Sequence, residues 1–245
     1  MSPATRVDLR WRQVPRGLRL ALALALGAQL LLAALQPNPR ARREPLPAPP
    51  SIEALRAMAM AEPASLALAG ALWLQSHDTQ PGLSIPHRAL DYERLAPWLR
   101  RLLELDPTGQ YPLLLASHVY SQVPDAERQR RMLLLVREAF DADPDRRWRW
   151  LAHAALVARH RLGDAALAIE FATAITRKAT GPAVPSWARQ MSVLLLADTG
   201  ESQAASVLLG GLIDAGLVTD PAELRFLLER GVPAPLPISP RPPDR

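Results

Sequence analysis

The chain has five histidines and no cysteine. The histidines are therefore the first side chains to consider for acid–base or metal chemistry. The absence of cysteine excludes disulfides, thiolate nucleophiles and zinc sites with Cys ligands. His153 and His160 are seven residues apart, which on a helix separates them by about 10.5 Å along the axis, too far to share one metal ion. The sequence has no His-Glu-x-x-His motif. We therefore expect neither a metal site nor a cofactor.

The known catalytic signatures are also missing from the sequence. It has no Gly-x-Ser-x-Gly elbow, no phosphate-binding Gly-rich loop and no dinucleotide fingerprint. Residues 77–90 read as one long irregular loop that carries His77, Asp78 and His87, and loops of this length are often functional. We expect no catalytic residues, and we keep a helical enzyme with its site in residues 77–90 as an alternative.

A polar and aromatic cluster lies in residues 146–150, Arg-Arg-Trp-Arg-Trp. At helical spacing Trp148 continues into an apolar stripe that is typical of a core, whereas Trp150 continues through two histidines into a mixed stripe. The mixed stripe could hold a protein partner through ring stacking and charge, or it could pack on a neighbouring helical hairpin. The predicted partner-binding residues are Arg146, Arg149, Trp150, His153 and His160.

The charge of the chain is concentrated at its N-terminus. Residues 1–50 contain eight Arg and two acids, a balance of +6, whereas residues 51–245 contain 21 basic and 22 acidic side chains, a balance of −1. A nucleic-acid-binding domain usually carries a cationic face, so the near-neutral body argues against a nucleic-acid partner. The apolar fraction of 49% supports a core, and the dominance of Ala and Leu favours helices over strands.

The basic N-terminal segment, residues 1–17, precedes an apolar run at residues 18–35 that predicts a single transmembrane helix. Four Arg precede this run, Arg19 lies at its N-terminal edge and three Arg follow it; five against three favours a cytoplasmic N-terminus and a periplasmic body at an inner membrane. A cleaved signal peptide is the alternative to a retained anchor. Either way, we expect the chain to have a membrane as one of its partners.

The membrane segment is followed by a Pro-rich linker, residues 36–50, which predicts a stiff spacer of about 40 Å if fully extended. Residues 51–232 form the predicted helical domain. The last segment, residues 233–245, is too rich in proline and too polar to pack, and we expect it to be disordered.

The helical domain contains clear helix start and stop signals. Gly163, Gly200 and Gly216 are in helix-ending positions, and Asp106-Pro107 and Asp143-Pro144 are further stops. Residues 112–122 read as one helix, and the helix near residue 70 has an expected stripe of Leu66, Ala69, Gly70 and Trp73. The side chains predicted to cap helices are Ser51, Asp91, Asp125, Asp164, Ser186 and Asp220.

The helix starts recur with a period in the mid-thirties, since Asp91, Asp125 and Asp164 are 34 and 39 residues apart. Paired helices with this period indicate a helical repeat array. Residues 91–216 resemble the tetratricopeptide-repeat family at Gly163-Asp164, Ala168-Ile169-Glu170, Gly200-Glu201 and Ala205, and the two Asp-Pro stops fit the ends of such repeats. The resemblance implies a curved stack of hairpins with a groove for peptides or protein segments, and no catalysis.

The sequence thus predicts an all-α protein, a tetratricopeptide-like array of helical hairpins preceded by one transmembrane helix. Its expected function is that of a non-catalytic scaffold or adaptor that binds a protein or peptide partner in a bacterial-type cell envelope. A structural accessory subunit of a membrane complex is the main alternative. The sequence predicts no oligomeric state.

Overall fold

The computed structural model describes residues 15–35, 44–80, 83–230 and 232. These residues are mostly helical, so the predicted all-α class is confirmed in its coarse form, with one short two-stranded sheet as the exception. The predicted basic N-terminal segment up to residue 14, the linker residues 36–43 and the C-terminal tail 233–245 lie outside the described residues. The α-helices are α1 Arg16–Leu35, α2 Ile52–Met58, α3 Pro63–Ser76, α4 Tyr92–Leu105, α5 Tyr111–Leu114, α6 Ala126–Ala142, α7 Pro144–His160, α8 Ala165–Lys178, α9 Ser186–Asp198, α10 Ser202–Asp214 and α11 Pro221–Glu229.

The first helix, α1, begins two residues before the predicted membrane segment and ends with it. Its 20 residues are all exposed, and the helix is long and apolar enough to cross a bilayer. Aliphatic side chains cover its whole circumference, which is how a helix surrounded by lipid differs from one with a single buried stripe.

The helices of the body pack mainly on their neighbours in the chain. The most extensive contacts in the body are those of α6 with α7, α7 with α8, α8 with α9 and α9 with α10, and α6 also packs on α4. Phe140 of α6, Leu151 of α7 and Phe171 of α8 are fully buried between these layers. A fully buried side chain of this size contributes about 1.5–3 kcal/mol through the hydrophobic effect. A second cluster, centred on Val193, Leu209 and Leu227, joins α9 to α10 and α11.

Most of the predicted caps are confirmed. The side chains of Ser51, Asp91, Asp125, Asp164 and Asp220 each accept a backbone N–H from the first turn of the helix that follows. The Ser186 prediction is wrong, because α9 already begins at Ser186 and the Ser186 hydroxyl donates to a carboxylate oxygen of Glu223 in α11. This serine therefore joins two helices and does not cap its own.

Residues 111–122 form three different turns where the sequence predicts a single helix. The short helix α5 continues into the π-helical turn Leu115–Val119 and then the 3₁₀ turn Tyr120–Gln122. π-Helical turns are rare and are found mostly at functional sites. This irregular turn positions His118.

The segment between α3 and α4 is more regular than the sequence suggests. It contains the paired strands β1 Thr79–Gln80 and β2 Leu83–Ser84 and the 3₁₀ turn His87–Ala89. The buried face of α3 also differs from the prediction, since Ala67, Ala71 and Leu74 face the core.

One buried charge connects three parts of the body. Arg147, in the first turn of α7, is only 4% exposed. Its guanidinium donates to the carbonyl oxygen of Ala139 in α6 and to that of Pro107 after α4, both at 2.6 Å. Burial lowers the pKa of Arg147, and these charge-assisted hydrogen bonds offset the cost of desolvation.

We expect Arg147→Ala to lower the free energy of unfolding by about 2–3 kcal/mol, because it removes two charge-assisted hydrogen bonds and leaves two carbonyl groups without partners. Chemical unfolding of the detergent-solubilised full chain, followed by circular dichroism, measures this loss. The control Arg146→Ala removes an exposed neighbour paired with Asp143 at 3.2 Å and should cost less than about 0.5 kcal/mol. Equal losses for the two variants would show that Arg147 does not join these elements.

Candidate functional site

The π-helical turn and α7 bring three aromatic rings together. The His118 ring stacks on the His153 ring with centroids 3.7 Å apart and planes 14° from parallel. Trp150 meets His118 edge-on, with ring centroids 5.6 Å apart. We call this group, together with Gln110 and Ser117, the His–Trp cluster.

Polar contacts fix the rings of the His–Trp cluster in place. The Trp150 indole N–H donates to Oε1 of Gln110, and Nδ1 of His118 lies 2.7 Å from the Ser117 hydroxyl. Nε2 of His153 is buried and has no hydrogen-bond partner among the described residues. Trp150 and His153 are therefore half-buried against the preceding hairpin. For these two residues the arrangement corresponds to packing on a neighbouring hairpin, which is the alternative to partner binding.

Both histidines of the cluster favour the neutral form. Partial burial lowers the pKa of His118. Burial is also the main reason for the lowered pKa of His153, with smaller contributions from His118 and Arg161, while a hydrogen bond to the Ser117 backbone acts in the opposite direction. Two neutral imidazoles without a carboxylate beside them lack the orienting group of a general-base pair. Within the described ranges, no three His, Asp or Glu side chains are grouped to hold a metal ion.

The other predicted partner-binding residues remain accessible on α7. Arg146, Arg149 and His160 are exposed. Between them lies Leu156, which is 44% exposed and shares the helix face with Arg149 and His160. We call Arg146, Arg149, Leu156 and His160 the α7 surface. The sequence prediction missed Leu156, although its spacing of seven residues from Arg149 and four from His160 places it on this face.

The residues of the alternative catalytic site do not form one group. Nε2 of His87 lies 3.0 Å from Oδ2 of Asp78, and the Thr79 hydroxyl donates to the other oxygen of the same carboxylate. His77 instead binds the carbonyl oxygen of Glu44 at 3.2 Å. Among the described residues, no Ser or Thr hydroxyl contacts His87, so its pairing with Asp78 lacks a nucleophile.

The last part of the predicted linker lies on the body. We call residues 44–50 the docked segment. The backbone N–H and carbonyl of Glu44 both bond to the side-chain amide of Gln80, and the indole N–H of Trp98 donates to the carbonyl oxygen of Pro47 at 2.8 Å. The Leu46 side chain is 6% exposed. These contacts hold the last residues of the predicted linker against the body.

Leu46 forms part of the wall of a cavity that lies between the docked segment and the rest of the body. Its carbonyl oxygen accepts a hydrogen bond from the Arg94 guanidinium at 2.5 Å. The pocket walls are apolar apart from one histidine and one aspartate; beside the docked segment itself, they are formed by His77, Ile85, Leu90, Asp91 and Leu95. Nothing in the sequence pattern indicates this site, because the docked segment is held mostly through its backbone.

The burial of His153 predicts a loss of stability in acid. Because folding lowers its pKa below the unfolded value of about 6.5, the unfolded chain takes up the proton first as the pH falls. Stability should therefore fall as the pH drops from about 7 through this value, and level off below the folded pKa. His153→Phe keeps a ring and removes the titration, so its melting temperature should fall less between about pH 7.5 and 5. An equal fall in the melting temperature of the wild type and of His153→Phe would contradict the assignment of His153 as buried and neutral.

Comparisons of the chain with protein-family models, with curated proteins and with solved structures give no match. The functional argument therefore rests on the contacts and charges of the chain's own residues.

Proposed function

We propose that this protein is a non-catalytic, membrane-anchored helical scaffold that binds an acidic segment of a partner protein on its α7 surface. The tetratricopeptide-like organisation belongs to this proposal. Successive packing of helices in chain order supports it, because an array stabilised by neighbour-to-neighbour contacts leaves long helix faces open for partners.

The observation that carries the proposal is the unpaired charge around the α7 surface. Within the described part of the chain, Arg149, Arg159 and Arg161 form no ion pair. On α6, by contrast, Arg130 pairs with Asp164 at 2.5 Å and other arginines pair with nearby acids. A cationic stripe with an exposed leucine suits an acidic segment that also carries an apolar side chain.

The membrane part of the proposal rests on α1 and on the charges around it. A helix of this length and composition can anchor the chain. The larger group of arginines before the helix supports a cytoplasmic N-terminus and a body in the periplasm of a bacterial-type envelope.

Site-specific photocrosslinking in intact cells tests this proposal. A photoreactive residue at His160 should give a discrete adduct with another protein, whereas the same residue at Val207, which is 72% exposed on α10, should not. Arg149→Glu introduced beside the crosslinker should reduce the His160 adduct about fivefold or more, the factor for a loss of about 1 kcal/mol. Adducts of equal yield at both positions, or no adduct at His160, would contradict the assigned surface.

One observation favours the accessory-subunit alternative. The helix α3 contains no charged residue, yet Leu68 is 46%, Leu72 49% and Trp73 41% exposed. A contiguous apolar face of this kind is typical of a surface that is permanently covered in a larger assembly. Gentle solubilisation from the native membrane distinguishes the two roles, since an accessory subunit should remain in a stable complex while a transient adaptor should separate from its partner.

A further inference from the structure

We propose that the site on the body that holds the docked segment is a binding site for extended Pro-Leu-Pro peptides, and that its second ligand is Pro235-Leu236-Pro237 of the C-terminal tail. The docked segment places Pro45-Leu46-Pro47 in this site, with Leu46 buried and the carbonyl oxygens of Leu46 and Pro47 hydrogen-bonded to Arg94 and Trp98. The same tripeptide recurs at residues 235–237, outside the described residues. This inference is independent of the α7 surface.

The site recognises features that any Pro-Leu-Pro peptide presents. The carbonyl oxygens before, within and at the end of the tripeptide, those of Glu44, Leu46 and Pro47, all accept hydrogen bonds from side chains of the body. Proline has no N–H, so a peptide with proline on both sides of leucine offers mainly acceptors. Arg94 and Trp98 supply donors and no competing acceptor, which matches this pattern.

The apolar part of the site fits the central leucine. Leu46 is the buried side chain of the docked segment, and the prolines on either side of it are exposed. Trp98, which donates to the Pro47 carbonyl oxygen, packs against a second tryptophan, since the rings of Trp73 and Trp98 lie 5.1 Å apart. Grooves lined by aromatic side chains are a common means of binding proline-rich peptides, whose preformed extended backbone loses little entropy on binding.

The two segments differ in sequence at positions where the site contacts the peptide backbone and not the side chain. The residue before the tripeptide is Glu44 in the docked segment and Ala234 in the tail. Glu44 contacts Gln80 and His77 through its backbone alone, and alanine supplies the same N–H and carbonyl. The residue after the tripeptide is Ala48, which is exposed, so Ile238 meets no steric barrier there. The hydrogen bonds that the body forms with the backbone of the docked segment are therefore available to the tail.

The docked segment has an advantage over a free peptide because the chain joins it directly to α2. A short tether of this kind gives an effective concentration of about 1 mM or more. The tail therefore competes measurably only when the docked segment is released. The two segments exclude each other because both need the same hydrogen-bond donors, Arg94 and Trp98.

Peptide binding to the detergent-solubilised full chain tests the proposal. The receptor is the double variant Leu46→Asp/Leu236→Asp, in which neither internal leucine can be buried at the site that holds the docked segment. The probe is a fluorescent peptide with the sequence of residues 232–240, Val-Pro-Ala-Pro-Leu-Pro-Ile-Ser-Pro, followed by anisotropy. We expect saturable binding, displacement by an unlabelled peptide of residues 42–50, and at least tenfold weaker binding to the wild-type chain.

Two controls make the result specific. A probe with aspartate in place of its leucine should not bind, and Trp98→Phe in the receptor should weaken binding about three- to tenfold, because it removes one hydrogen bond and keeps the ring. The proposal is overturned if the peptide of residues 42–50 binds and that of residues 232–240 does not, if neither binds, or if Trp98→Phe leaves the affinity unchanged.

A measurement on the wild-type chain covers the case in which the double variant does not fold. The indole N–H of Trp98, assigned in the NMR spectrum by its loss in Trp98→Phe, should shift when the peptide of residues 232–240 is added at several millimolar. The aspartate-containing peptide should leave it in place. An unchanged Trp98 signal with both peptides overturns the proposal.

Discussion

Each helix of the body has an apolar face that it buries mainly on its neighbours in the chain, and the rest of the structure depends on this constraint. In α6, α7 and α8, which pack in succession, the side chains of Phe140, Leu151 and Phe171 are fully buried. Because short connections bring consecutive helices together, burial between neighbours costs little loop-closure entropy. The faces that point away from these contacts are left free, and α7 exposes arginine, leucine and histidine there.

The same packing explains why two of the five predicted partner-binding residues, Trp150 and His153, are half-buried. The preceding hairpin ends in a π-helical turn, which places His118 over His153 and its edge against Trp150. Burial then lowers the pKa of both histidines, so these rings contribute packing and hydrogen bonds in their neutral form. On α7 the exposed side chains include those of the α7 surface, among them Arg149 and His160. The cluster supports that surface from beneath.

Local signals were sufficient to predict helix starts, whereas long-range contacts were not visible in the sequence. Asp164 caps α8 through an N–H three residues away, so residue type and spacing reveal it. The pairing of His118 with His153 joins residues 35 positions apart, and no periodicity within either helix indicates it. Arg147 reads as a surface charge because its partners are backbone carbonyls, which every residue has. In α3 an all-apolar sequence hides which side faces the core. The docked segment could not be predicted for the same reason as Arg147, because its hydrogen bonds are formed by backbone groups, which every residue has.

Native-state hydrogen exchange of the full-length protein tests most directly whether the body is an array held together by neighbouring helices. In such an array the central helices have a partner on each side and the terminal ones have only one. Amide protection should therefore be highest in α6 to α8 and should fall toward α2 in one direction and α11 in the other. Uniform protection along the body, or higher protection at its ends than at its centre, would contradict this account.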